Sequence, residues 1–212
     1  GFEVALTVRE IDVVRHGESD NLLSAALQDE VYKEVLAEKH HIIVESPPCD
    51  TYSRAPFSGH PGPKPLRSAQ WPRGLPGLPP SAVQRVRDAN ILADFAIKIL
   101  EAAGEVGAIS LLEFPEDLGP SKLGTPASLW QRSDMKALTQ WGYQRGAIYQ
   151  SDWAPVGYRK PTGLITTASA LTEDPQFFRR LASMCIIRLL RRTLAASAGR
   201  HPTDWEECRG QV

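Results

Sequence analysis

The stretch Ser46-Pro47-Pro48-Cys49-Asp50-Thr51-Tyr52-Ser53-Arg54 places a thiol on a turn stiffened by two prolines. It follows His41-Ile42-Ile43-Val44-Glu45, which reads as a short buried strand. Proline fixes its own φ and biases the residue before it toward extended backbone, so the Cys49 thiol is presented in one direction, as a nucleophile requires. The same residue reads equally as a small core hydrophobe on a turn. Downstream, Ala108-Ile109-Ser110-Leu111-Leu112-Glu113-Phe114-Pro115 reads as a second buried strand with an acid near its carboxyl end. In a parallel sheet the ends of both strands lie on one edge, where open α/β sheets bind ligands. Cys49 and Glu113 would then be a nucleophile and an acid on one crevice. Glu113 also suits a plainer role, pairing with an arginine or capping a helix.

Another stretch with chemical potential is Val14-Arg15-His16-Gly17-Glu18. Alone it resembles the signature of the histidine phosphatases, in which a His after a strand is phosphorylated and an Arg binds phosphate. That chemistry needs a second His. His40, His41, His60 and His201 are the others, and none sits in a His-Gly or His-Ser context after an apolar strand. The alternative is a polar turn with His16 solvated.

The elements that must position these groups read as follows. Residues 1–14 alternate Phe2, Val4, Leu6 and Val8, the period of a strand. Residues 28–39 read as a helix with a narrow apolar stripe. With the strand at 41–45, this alternation favours a parallel α/β sheet. Residues 55–80 are rich in Pro and Gly, which excludes a helix or central strand. This loop carries Lys64, Arg67 and Arg73 with Phe57 and Trp71. Such a mixture suits phosphate contact and base stacking, or is a Pro-rich linker with scattered charge. A long helix follows over 82–103, opened by Ser81 with Gln84 as a capping box and ended by Gly104 and Gly107. Within it, Asn90 is either a satisfied amide or a ligand contact. A short helix is expected around 128–130, strands at 145–153 and 163–167, and a last helix from Asp174-Pro175 to about Ala195. The basic side of that helix reads as a solvated face, with nucleic-acid backbone contact the lesser option. Residues 198–212 read as a tail.

The chain has 212 residues, 42% hydrophobic and 23% charged, within the range of an ordinary globular protein. A net charge of -1 gives no overall pull toward nucleic acid, so any such face is a local patch. The three cysteines, Cys49, Cys185 and Cys208, are far apart and lack metal-site spacing, which suggests a reducing compartment. No apolar run reaches the length of a membrane span. The reading is an intracellular protein without a membrane partner.

Taken together, these pieces carry a family likeness. Ser46-Pro47-Pro48-Cys49 after one strand and Leu112-Glu113-Phe114-Pro115 after the next resemble the DNA cytosine-5 methyltransferases. The likeness is closer to a divergent group from phage, metagenomic and protist sequences. It extends through Ser53-Arg54, Gly62-Pro63-Lys64-Pro65-Leu66-Arg67, Pro72-Arg73-Gly74-Leu75, Asn90-Ile91-Leu92, Ser128-Leu129-Trp130, Gln150 and Arg159-Lys160-Pro161-Thr162, in that order. The resemblance implies a Rossmann-like α/β fold over residues 1–170 that uses S-adenosylmethionine, followed by a C-terminal helix and tail over 171–212. It implies Cys49 as the nucleophile on cytosine, Glu113 as the acid at the ring nitrogen, and Arg159 and Lys160 steadying the site. Asp12, with Glu10 as its rival, would hold the cofactor ribose. Asp20 would approach the adenine, and Pro47 and Pro48 would line the cofactor. Ser53, Arg54, Arg67 and Gln150 would face DNA. The setting it implies is the cytoplasm of a bacterium or phage-infected cell, or a protist nucleus. Two departures stand out. Phe114 occupies the family's Asn position, and the Gly-rich turn that cradles the methionine moiety is expected upstream of Gly1, so the fold reads as N-terminally incomplete.

Overall fold

The computed structural model describes residues 7–59, 61–149 and 161–168. Arg159, Lys160, Gln150, the expected last helix and the tail lie outside the described residues, as do Phe2, Val4 and Leu6.

The described chain is mixed α/β. In order it forms α1 (Val13–His16), α2 (Ala25–Leu36), β1 (Ile42–Glu45), α3 (Pro80–Glu105), β2 (Ile109–Pro115), α4 (Ser133–Leu138), β3 (Gln144–Tyr149) and β4 (Pro161–Thr166). Short 3-10 turns punctuate it, notably at Asp50–Tyr52.

One four-stranded sheet runs in the order β1-β2-β4-β3. β1 and β2 are parallel, with Ile42 opposite Ile109 and Glu45 opposite Leu112. β4 is antiparallel to both β2 and β3. The expectation of a parallel sheet therefore holds for the pair that carries Cys49 and Glu113 and fails beyond it. The parallel pair requires a crossover, which α3 supplies.

α3 is long because almost nothing in it opposes a helix. Pro80 sits at its first turn, where a missing N–H costs nothing, and small alanines fill its buried face. Ala93, Ala96, Ala102 and Ala103 are each 3% exposed or less, so the helix lies close against the sheet. The capping box expected at Ser81 and Gln84 is not formed: Pro79 is the N-cap without a side-chain bond, and Gln84 instead donates to Asp88. Gly104 lies inside the last turn rather than beyond it, beside the Tyr143 ring.

Two apolar clusters sandwich α3. One joins Ala93, Ala96, Ile97 and Leu100 to Leu112, Phe114, Leu129 and Ile165. The other joins Phe95, Ile99 and Ala103 to Val35 of α2. α2 overlaps the expected helix but begins and ends three residues earlier, with Ser24 as N-cap.

Two further expectations are corrected. Residues 7–12 form no strand, and Val13–His16 is a helical turn capped by Asp12. β1 is not buried: it is the sheet's edge, and Ile42 and Val44 are 51% and 46% exposed. Among the described residues, no helix is long and apolar enough to cross a membrane, and no cluster of side chains is suited to hold a metal ion.

Candidate functional site

β1 ends at Glu45 opposite Leu112, while its parallel neighbour β2 runs on to Pro115. Glu113 is the residue after Leu112, the partner of the last β1 residue. Its side chain is buried, 7% exposed, and the Ser46 hydroxyl donates to its Oε2 at 2.8 Å. That bond ties the acid to the start of the cysteine turn. Pro47 and Pro48 then carry the chain to Cys49, which is half-buried and packs against the cluster holding Tyr52 and Phe114. The Cys49 carbonyl accepts from Tyr52 N at 3.0 Å and opens the 3-10 turn. The structure thus ties Glu113, through Ser46, to the start of the turn that carries Cys49.

Arg67 is placed very differently from a DNA contact. It is 1% exposed, in the interior. Its Nε donates to Thr51 Oγ1 at 3.0 Å, and its terminal nitrogens donate to Asn90 Oδ1, Tyr52 Oη, Pro72 O and Val86 O. The guanidinium also stacks 4.1 Å from the centre of the Tyr52 ring. Burial pulls its pKa below the ordinary arginine value. Arg67 therefore knots the Pro-rich loop, the turn after Cys49 and α3 together. Asn90 is a satisfied amide, since its Nδ2 donates to Arg73 O. Two further residues pin the loop. Arg73 forks onto Asp94, which also meets Arg132, and Phe57 is buried. Burial opposes ionisation of Asp94, yet these two arginines hold its carboxyl below the usual range.

Arg54 donates to the carbonyls of Gly119 and Pro120, both at 2.6 Å, and Ser53 Oγ accepts from Ala55 N. Arg54 also lines a shallow cleft with Tyr52, Phe114, Glu116, Asp117 and Ser128, beyond the end of β2. The sequence offered one signal for this cleft, the two acids directly after Pro115.

The two acids expected at the cofactor lie together. Asp12 N donates to Asp20 Oδ2 at 2.9 Å, and Asp12 Oδ1 caps α1 through Val14 N. The backbone N–H of Asp12, then His16, hold the Asp20 carboxyl below its ordinary value. Glu10 takes Arg15, at 2.7 Å. His16 Nδ1 lies 2.7 Å from Asp20 Oδ2. Arg15 and His16 thus each face an acid rather than a shared phosphate-sized gap.

Sequence reading missed Glu45. Its carboxyl is enclosed, Oε1 has no hydrogen-bond partner, and burial raises its pKa well above the usual range. An acid ending an apolar strand looks like a solvated terminus, so no local signal marks it. The same applies to Ser46, whose value lies wholly in a partner 67 residues away.

No protein-family model, no curated protein and no solved structure matches this chain.

Proposed function

We propose that the chain is a DNA cytosine-5 methyltransferase-like domain that forms a covalent adduct through Cys49. The observation that carries this reading is the Ser46–Glu113 bond from the residue after β1 to its parallel neighbour β2, which ties a carboxyl group to the start of the cysteine turn. A cytosine flipped from its duplex would meet both groups. The Cys49 thiolate adds to ring carbon C6, and Glu113 delivers a proton to N3, so negative charge does not accumulate on the base. C5 becomes nucleophilic and takes the methyl group. Loss of the C5 proton to a base then re-forms the ring double bond and expels Cys49 as thiolate.

The methyl group would come from S-adenosylmethionine, whose sulfonium supplies it as an electrophile. Asp12 and Asp20 suit the ribose end of that cofactor. They are adjacent acceptors, with Asp20 held ionised, and ribose hydroxyls are donors. Pro47 and Pro48 would bound the cofactor beside the cysteine turn. Ser53 and Arg54 remain the described candidates for the nucleic-acid side, with Arg159, Lys160 and Gln150 proposed on the resemblance alone. The buried position of Arg67 removes it from that set.

A second reading is a methyltransferase-like module without activity that binds nucleic acid. Phe114 favours it: the ring stands in the family's Asn position, 1% exposed and edge-on to Tyr52 at 5.1 Å. The two readings separate in one experiment. Incubated with S-adenosylmethionine and a duplex containing 5-fluorocytosine, the protein is expected to form an adduct that survives denaturation, and Cys49→Ala abolishes it without loss of helical signal. Duplex binding with no adduct would select the second reading.

A further inference from the structure

The Arg67 guanidinium is buried, and its acceptors are all neutral: a hydroxyl, a phenol, an amide oxygen and two backbone carbonyls. A charge withdrawn from water normally requires an ionised partner, because hydrogen bonds to neutral groups leave the charge itself uncompensated. The charged groups that face it supply little: Arg73 and Arg132 are like charges, and Asp50, which does favour the cation, is exposed and bound to Arg85 at 2.7 Å. Asp94, on α3, is shared between Arg73 and Arg132. This uncompensated cation sits under the turn that begins at Cys49. Two of its contacts, Thr51 and Tyr52, are the second and third residues after the cysteine.

We propose that Arg67 is an electrostatic and positioning residue for Cys49: its fork fixes the turn, and its uncompensated charge favours the Cys49 thiolate. A thiol beside a fixed cation gives up its proton more easily, and the thiolate is the nucleophile. A buried cation acts more strongly than a surface one, because less water lies between it and the thiolate. Acids close to Cys49 in chain or fold work the other way where they are ionised: Glu113 on β2 and Asp50 on the turn, while burial holds the proton on Glu45. Arg67 offsets them together with Arg85, which is bound to Asp50. The inference rests on the proposed nucleophilic role of Cys49, yet it concerns a property of the thiol that is measurable without substrate.

The test is the pH dependence of Cys49 alkylation by iodoacetamide in the full chain, read on the Cys49 peptide by mass spectrometry over roughly pH 6 to 10. Arg67→Met removes the charge but leaves five acceptors without their donor, three of them buried, so it risks unfolding the chain. Asn90→Asp is the milder change, giving up only the Nδ2 bond to the Arg73 carbonyl. It keeps the acceptor for Arg67 and adds the missing anion in the same volume. Asn90→Asp is expected to raise the midpoint of the profile by about one pH unit. Asn90→Ala removes both Asn90 hydrogen bonds without adding charge and is expected to leave the midpoint in place. Coincident profiles for wild type and Asn90→Asp overturn the inference, as does an equal shift in Asn90→Ala. A raised midpoint in a protein that forms no cytosine adduct supports the inference while the methyltransferase reading fails. An unchanged midpoint in a protein that does form the adduct rejects the inference alone.

Discussion

At Glu45 a single carboxyl group bears on stability. The residue ends β1, and its Oε1 is enclosed without a hydrogen-bond partner. Burial holds its proton on in the folded state, so the folded pKa lies above the unfolded one. Stability from this residue is therefore greatest below the unfolded value and falls as pH rises toward the folded value. Glu45→Gln keeps the shape and cannot ionise. It is expected to raise unfolding free energy by about 1–3 kcal/mol at neutral pH, with little gain near pH 4. Urea titrations at the two pH values check this, and an equal effect at both would reject it. Neighbouring Tyr143 shows the same environment, its phenol pushed up to about 12 chiefly by burial. Its hydroxyl is satisfied all the same, bonded to Ser110 Oγ and to the Leu100 carbonyl.

Among the elements, β4 decides how the sheet closes over the site. Gly163 faces Phe114 across the β2–β4 ladder, and the Trp130 ring lies where a Cβ would stand. That ring is itself anchored, donating from Nε1 to Pro115 O at 2.7 Å. A Cβ on residue 163 would come within 2.7 Å of Trp130 and 2.8 Å of Glu116 Oε2. Trp130 cannot retreat without losing its bond to Pro115, so Gly163→Ala is expected to cost about 1–3 kcal/mol by overpacking. Near-ultraviolet circular dichroism should report the displaced indole. An unaltered signal and unfolding midpoint would mean the ring moves freely. The Pro-rich segment is an element in its own right. Its Arg67, Arg73 and Phe57 anchors make it part of the domain's packing rather than a free flap.

For the molecule as a whole, stability centres on α3, which both apolar clusters share. Leu100 is fully buried, packs with the sheet-side cluster and lies one residue from Ile99 of the other. Leu100→Ala is expected to lower unfolding free energy by about 2–5 kcal/mol, because so confined a site cannot collapse around the cavity. Chemical denaturation checks it, and a loss below about 1 kcal/mol would show that the two clusters repack independently.

Much of this was legible from residue order. The α2 stripe, the β1 and β2 apolar runs and the long helix over 82–103 follow from periodicity, because 3.6- and 2-residue repeats record which face is buried. The parallel pairing of β1 and β2 follows from the alternation of strand and helix. Three things were decided by tertiary contact alone. Whether β1 is central or an edge depends on which strand lies beside it, and a run such as Ile42-Ile43-Val44 reads alike in both cases. The antiparallel pairing of β4 depends on the return path of the chain. The fate of Arg67 depends on partners scattered from Thr51 to Asn90, so a basic residue in a polar loop, read locally as a phosphate contact, becomes a buried cation behind the cysteine. Sequence spacing fixes what is near along the chain. Burial of charge is set by what arrives from elsewhere.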